Sequence, residues 1–107
     1  MAEVIWAEPA LHDVDAIADY IALDNPEAAR RLVRKIFEDV DHVERHPRLG
    51  SKPDELKGWR YRQIVEPLCC IFYREDSGRV LMLHVMRSER LLMSELLKDR
   101  EQGAGGI

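Results

Sequence analysis

Apolar positions along the chain follow a helical repeat in the first half and a strand repeat in the second. Val4-Ile5-Trp6 is a short apolar run that stops before Glu8-Pro9, and it predicts a first strand. Pro9 suits the first turn of a helix, where its missing N–H costs nothing. From there Leu11, Val14, Ile17, Ala18 and Ile21 recur on one helical face, with Asp13, Asp15 and Asp19 off it. Aspartates early in a helix also suit its positive end. Asp24-Asn25-Pro26 interrupts the repeat, with Asn25 as N-cap and Pro26 as first helical residue. A second helix then runs to about His46. Its apolar stripe is Ala29, Leu32, Val33, Ile36, Phe37, Val40 and Val43, and Arg30, Arg31, Arg34, Lys35, Glu38, Asp39 and Asp41 populate the remaining surface. The basic residues lie nearer its start and the acidic ones nearer its end, against the helix dipole, so packing must stabilise it. So short a joint makes the two helices an antiparallel hairpin.

His46-Pro47-Arg48-Leu49-Gly50 ends the second helix, and residues 51–58 read as a loop into a sheet. Residues 59–65, 68–75 and 79–86 predict three strands, the last nearly continuous in apolar residues, as a central strand is. Asp76-Ser77-Gly78 predicts a tight hairpin turn between the last two. A helical stretch over 88–100 follows, with Leu91, Leu92, Leu96 and Leu97 as its apolar residues. The expected fold is α+β: an N-terminal strand, an antiparallel helical hairpin packed on a small, mainly antiparallel sheet, and a short C-terminal helix. The first strand must join the sheet at an edge or beside the last strand. One domain over 1–100 and a flexible tail over 101–107 complete the outline.

The 107 residues suit one compact domain, and 46% hydrophobic residues are enough to build its core. Net charge changes the picture more. Residues 1–50 hold 6 Lys/Arg against 11 Asp/Glu, and residues 51–107 hold 10 against 9, for a total of −4. Any positive surface must come from the second half, and the acidic balance weighs against a protein built to grip a nucleic-acid backbone. No apolar run approaches 18 residues and no charged-then-apolar leader opens the chain, so a membrane span and a signal peptide are not expected. The adjacent Cys69 and Cys70 would point to opposite faces of a strand, where a disulfide between them is strained. They read as packing residues in a reducing, cytoplasmic setting. His12, His42, His46 and His84 are scattered. His42 and His46 share a helix face, but a zinc site needs further ligands, so neither metal nor cofactor is expected.

Several segments carry a more specific signal in combination. They are Trp6-Ala7-Glu8-Pro9-Ala10 with Asp15-Ala16-Ile17-Ala18-Asp19-Tyr20-Ile21; Asn25-Pro26-Glu27-Ala28-Ala29; Pro47-Arg48-Leu49-Gly50; Glu55-Leu56-Lys57-Gly58-Trp59-Arg60; Ile71-Phe72-Tyr73-Arg74; and Val85-Met86-Arg87-Ser88-Glu89-Arg90. In this order the chain resembles the RelE/ParE toxin superfamily, and within it the ParE-like branch. The resemblance implies the toxin of a type II toxin–antitoxin system of the plasmid-stabilisation type, neutralised by a cognate ParD-like antitoxin. It implies inhibition of DNA gyrase, with ribosome-dependent mRNA cleavage of the RelE type as the alternative. Contact with DNA would be indirect, through the antitoxin.

The two activities ask for different residues. A metal-free ribonuclease needs a base, cationic clamps and an acid converging on one sheet face. Arg60, Arg62, Arg74 and His84, with Tyr61 or Tyr73, are the residues of that kind. Simple alternation puts Arg60 and Arg62 on one face of their strand. It puts Met82 and Met86 on the face of His84, with Leu83 and Val85 opposite, which makes His84 a half-buried packing residue. For target binding the end of the last strand stands out: Met86, Arg87, Ser88 and Arg90. The superfamily often ends this strand with His-x-x-Arg or a close variant, and this chain has Arg87 in place of the histidine. Arginine stays protonated, so the departure favours binding over acid–base chemistry. Leu91, Leu92 and Leu96 are the expected contacts for the antitoxin, which would dock on a sheet edge or in the groove between hairpin and sheet.

Overall fold

A computed structural model of the chain describes residues 2–54, 60–88 and 100–103. The elements follow in the order β1 (Glu3–Trp6), α1 (Glu8–Ala22), α2 (Pro26–Arg45), β2 (Tyr61–Val65), β3 (Cys69–Asp76) and β4 (Arg79–Arg87). Residues 100–103 add a helical segment that reaches beyond position 100, where the sequence suggested the domain would end.

Both long helices begin as their sequences dictate. Pro9 lies in the first turn of α1. Asn25 caps α2 from an extended backbone, its side-chain oxygen accepting the Ala28 N–H at 3.1 Å. α1 buries Ala10, Val14 and Ile17, while Leu11 lies on the outer side of the stripe. α2 buries Ala29, Leu32, Ile36, Val40 and Val43. Phe37 sits at the rim of this stripe, its ring 5.5 Å from that of Trp6. Asp39, expected on the surface, is only 5% exposed. It stands three residues after Ile36 and four before Val43, hence on their side of the helix.

The sheet order is β1-β4-β3-β2. β1 lies beside the last strand and runs parallel to it, whereas β2–β3 and β3–β4 are antiparallel. The β3–β4 hairpin closes through Ser77 (φ 50°) and Gly78 (φ 80°), between the paired Asp76 and Arg79. A two-residue turn with positive φ at both positions matches the twist of the strands it joins. The helical hairpin covers one sheet face. Val14, Ile17, Leu32, Ile36, Val40 and Val43 pack there against Ile71, Tyr73, Val80, Met82 and Val85. Burying each such side chain contributes about 1.5–3 kcal/mol over leaving it exposed. The second face carries its own buried cluster of Tyr61, Phe72, Leu81, Leu83 and Met86. Glu101, from the 100–103 segment, reaches this face through Tyr61 and Arg74.

β4 does not alternate simply. Tyr73 faces Met82, but Phe72 faces His84, so Leu83 is an extra residue in the ladder, a β-bulge. The insertion resets the faces. Val80, Met82 and Val85 point to the helices, while Leu81, Leu83 and Met86 belong to the second face. His84, opposite Phe72, therefore shares a face with Met86 but not with Met82, and Leu83 is not on the side opposite it. The loop after α2 is tied to the sheet by Tyr73, whose hydroxyl donates to Pro47 O (2.8 Å) and accepts the Gly50 N–H (2.7 Å). Gly50 is the residue that permits this approach. A Cβ there would stand 2.7 Å from Gln63 O and 2.8 Å from the Tyr73 ring and hydroxyl.

Candidate functional site

β1 ends opposite Met82, while β4 runs on to Arg87, and α1 passes alongside that remaining edge. Edge N–H and C=O groups away from water need partners. Side chains supply them here. Asp13 Oδ2 accepts the Val85 N–H at 3.1 Å, and Arg100 Nη1 donates to Leu83 O at 3.3 Å. The same groups converge on His84. Its Nδ1 lies 2.9 Å from Asp13 Oδ2, and Arg100 Nη1 lies 2.5 Å from each of them. The imidazole stacks on Phe72 with ring centroids 6.0 Å apart. Burial opposes ionisation of Asp13, but its polar contacts with His84, Arg100 and the Val85 N–H outweigh that penalty and hold its carboxyl below the usual range.

Beside this cluster lies a cleft of about 390 Å³ between α1 and the end of β4, lined by Asp13, Tyr20, His84, Val85, Met86 and Arg87. Arg87 stands with its guanidinium carbon 4.3 Å above the Tyr20 ring, a cation–π geometry. The structure thus brings Met86 and Arg87, two of the expected target-binding residues, into one cleft. Ser88 sits just outside it, exposed in a turn, its N–H 3.3 Å from Leu68 O. Arg90, Leu91, Leu92 and Leu96 lie outside the described residues.

The expected basic face does not assemble. β2 begins at Tyr61, so Arg60 precedes the strand and is exposed, and it shares no strand face with Arg62. Arg62 pairs with Tyr73 and Arg74 with Tyr61, positions on opposite faces of the sheet. Arg62 donates to Gly50 O at 2.8 Å, and Arg74 pairs with Glu101. Only Arg74 and His84 share the second face. Sequence reasoning missed Asp13, Tyr20 and Arg100. Asp13 carried no stronger signal than being a polar residue off the apolar stripe of α1.

A second polar cluster lies between α2 and the connection from β2 to β3. Lys35 Nζ is 3.4 Å from Asp39 Oδ1 and 4.0 Å from Glu66 Oε2. Among the described residues, Asp39 Oδ2 is buried and has no standing N–H or O–H donor. A protonated Glu66 supplies one. The hydrogen bond to Asp39, then burial, then the charge of Asp39 push the Glu66 carboxyl up to about 7 despite Lys35. Burial first, with neighbouring acids adding to it, pushes the Cys69 thiol up to about 12, which leaves it a poor nucleophile. No group of three or more His, Cys, Asp and Glu among the described residues is placed to hold a metal ion. Among the described residues no helix is long and apolar enough to cross a membrane.

Known proteins share this fold. The family profile described as the ParE toxin of type II toxin-antitoxin systems, parDE, matches residues 4–92. Toxin RelE2 of Caulobacter vibrioides is 31% identical over 91 residues, which is 85% of this chain and 100% of that protein. A solved structure of the chromosomal ParDE TA system from P. aeruginosa superposes with a TM-score of 0.68 at 28% identity, covering 83% of this chain and 98% of that one.

Proposed function

The chain belongs to the ParE toxin family of type II toxin–antitoxin systems, and from that premise we propose that it arrests growth in the cytoplasm by binding and inhibiting DNA gyrase. In this reading the cleft between α1 and β4, with Arg87 over Tyr20 at its rim, is the target-binding surface. One observation carries the choice of binding over catalysis. Apart from the exposed Arg60, the groups suited to phosphodiester chemistry are engaged inside the protein: Arg62 on the Gly50 carbonyl, Arg74 on Glu101, Tyr73 on Gly50 and Pro47, and His84 on Asp13 and Arg100. Arg87, by contrast, is fixed in a cleft and cannot act as an acid or base near neutrality.

The proposed partner is a ParD-like antitoxin, in keeping with the ParDE system to which the P. aeruginosa relative belongs. It would neutralise the toxin by direct contact, so the toxin reaches DNA only through it. The likeness to Toxin RelE2 favours a second reading, a ribosome-dependent mRNA endoribonuclease. Two assays on the purified protein separate these readings: supercoiling by gyrase, and mRNA cleavage on translating ribosomes. Gyrase is expected to lose supercoiling activity while mRNA stays intact. Cut mRNA with unaffected gyrase would overturn the proposal in favour of the second reading.

A further inference from the structure

The family match ends at residue 92, so Arg100 and Glu101 belong to a segment beyond it. These two adjacent residues hold that segment to the sheet at two places. Arg100 enters the Asp13–His84 cluster, and Glu101 takes the Tyr61 hydroxyl at 2.7 Å and the Arg74 guanidinium. The first contact contains a conflict of hydrogen-bonding roles. His84 Nδ1 has either a lone pair or a proton. With the lone pair it accepts the Arg100 N–H at 2.5 Å. With the proton it donates to Asp13 Oδ2 at 2.9 Å and then faces the Arg100 N–H head-on. The neutral ring satisfies Arg100 by keeping its proton on Nε2; Nδ1 and Asp13 Oδ2 are then two acceptors 2.9 Å apart, and Arg100 Nη1, 2.5 Å from each, bridges them. The imidazolium has a proton on both nitrogens, so it has no lone pair to offer.

We propose that this triangle is a proton-operated latch: protonation of His84 drives Arg100 out, and with it loosens the 100–103 segment from the second face of the sheet. A neutral His84 leaves one carboxylate matched to one guanidinium. A protonated His84 puts two cations on the single carboxylate of Asp13, in a site where Arg100 and His84 side chains are 14% and 11% exposed. Uncompensated charge in so dry a site is costly, and arginine cannot relieve it by losing a proton. Arg100 is the member that leaves because His84 is held in β4 and Asp13 in α1, both packed into the core, whereas the 100–103 segment is tied to the sheet through Arg100 and Glu101. Among the described residues, the charged and titratable groups around the imidazole and its Arg100 partner are Asp13 and Tyr20 from α1, Glu8 and His12 of α1 on the Arg100 side, 4.0 Å from each other, Arg87 from β4 and Arg100 itself, with Glu101 next to Arg100. Tyr20 and Arg87 engage each other across the cleft and do not supply a second anion. Once Arg100 is released, the contacts of Glu101 with Tyr61 and Arg74 remain to hold the segment.

The latch is tested on the full chain by hydrogen–deuterium exchange of the 100–103 amides between pH 8 and pH 5, with rates corrected for intrinsic pH dependence. Imidazole nitrogen shifts of His84 are followed in the same samples. The expected result is a loss of protection at 100–103 of about tenfold on acidification, the equivalent of one unit of proton linkage, following the His84 titration. In His84→Asn, which keeps an acceptor near the Nδ1 position but does not titrate, protection should stay level over the same range. An equal loss in His84→Asn would overturn the proposal by assigning the effect to the carboxyl groups. If His84→Asn does not fold, the wild-type pair of measurements decides: an imidazole that titrates without loss of protection, or protection lost without its titration, overturns the latch.

Discussion

Replacing Tyr73 with phenylalanine removes one oxygen from the centre of the fold, and the structure sets what that should cost. The side chain is fully buried, and its hydroxyl accepts the buried Gly50 N–H at 2.7 Å while donating to Pro47 O at 2.8 Å. Two hydrogen bonds of average net value would contribute about 1–3 kcal/mol together. The larger effect is on the group left behind. The Gly50 N–H would be buried against a phenyl edge with no acceptor, and an unsatisfied donor of this kind costs about 1–3 kcal/mol by itself. The ring stays in place, so no large cavity forms. A loss near 2 kcal/mol follows, with lost bond and orphaned donor overlapping in that figure. For a domain of this length such a loss corresponds to a fall in Tm of about 10 °C. Thermal unfolding by circular dichroism, with urea titration to confirm an unchanged m-value, measures it. A fall of less than about 2 °C would mean that the 47–50 loop finds other partners without strain and that the Tyr73 hydroxyl is dispensable. The hydroxyl also matters for acid–base behaviour. Burial pushes the Tyr73 phenol up, so the wild type should show no tyrosinate from this residue until strongly alkaline pH.

Other substitutions probe separate parts of the argument. Gly50→Ala should destabilise by about 1–3 kcal/mol, since its Cβ meets the backbone oxygen of Gln63, which cannot swing away; a Tm equal to wild type would contradict the close approach. Glu66 has a folded-state value of about 7 against an ordinary 4.5, so its contribution to stability is fully present below about 4.5 and is lost as pH rises through 7. The Tm of Glu66→Gln should accordingly vary less than that of wild type between pH 5 and pH 8. Asp13 behaves in the opposite sense: its depressed carboxyl stabilises the fold above the ordinary carboxylate range, and that contribution is lost as pH falls through the depressed value. Asp13→Asn should lower stability at pH 7 and flatten the acid limb of an unfolding profile. Arg87→Ala should cost about 0.5–1 kcal/mol of stability through the lost contact with Tyr20, yet abolish growth inhibition. Full toxicity in the folded variant would place the target surface elsewhere.

The elements that local physics determines were legible in the sequence. Asn25-Pro26 announces the start of α2, Ser77-Gly78 the hairpin turn, and the apolar repeats the two helices, because each depends on residues within one or two turns of each other. Even the site for β1 was among the two expected. What escaped were features set by partners distant in sequence. A bulge at Leu83 cannot be read from β4 alone, since it exists only relative to the register with β3, and it reverses the face on which Met82 stands relative to His84. Arg62 was expected on one strand face with Arg60 as a cationic clamp, but the carbonyls of Arg48 and Gly50, distant in sequence, engage it. Asp39 was counted as surface because it is charged, although its helical position put it inside, and a carboxyl partner from the β2–β3 connection made that tolerable. Arg87 was identified from its place at the end of the last strand, but nothing local connected it with Tyr20, 67 positions earlier.

The parallel pairing of β1 with β4 has a consequence for how the chain is made. Glu3–Trp6 finds its ladder partners at Arg79–Met82, so β1 waits for β4 to be synthesised. Long-range pairing of this kind is slow to form, whereas the local contacts of the helical hairpin are not. During translation α1 and α2 can come together early, and the sheet closes only when β4 has emerged. The edge that Asp13 covers does not exist before then, and neither does the cleft. Protease resistance of nascent chains released at increasing lengths should therefore rise sharply only once residue 87 is out, and a chain stalled before residue 79 would carry helices without a surface to present.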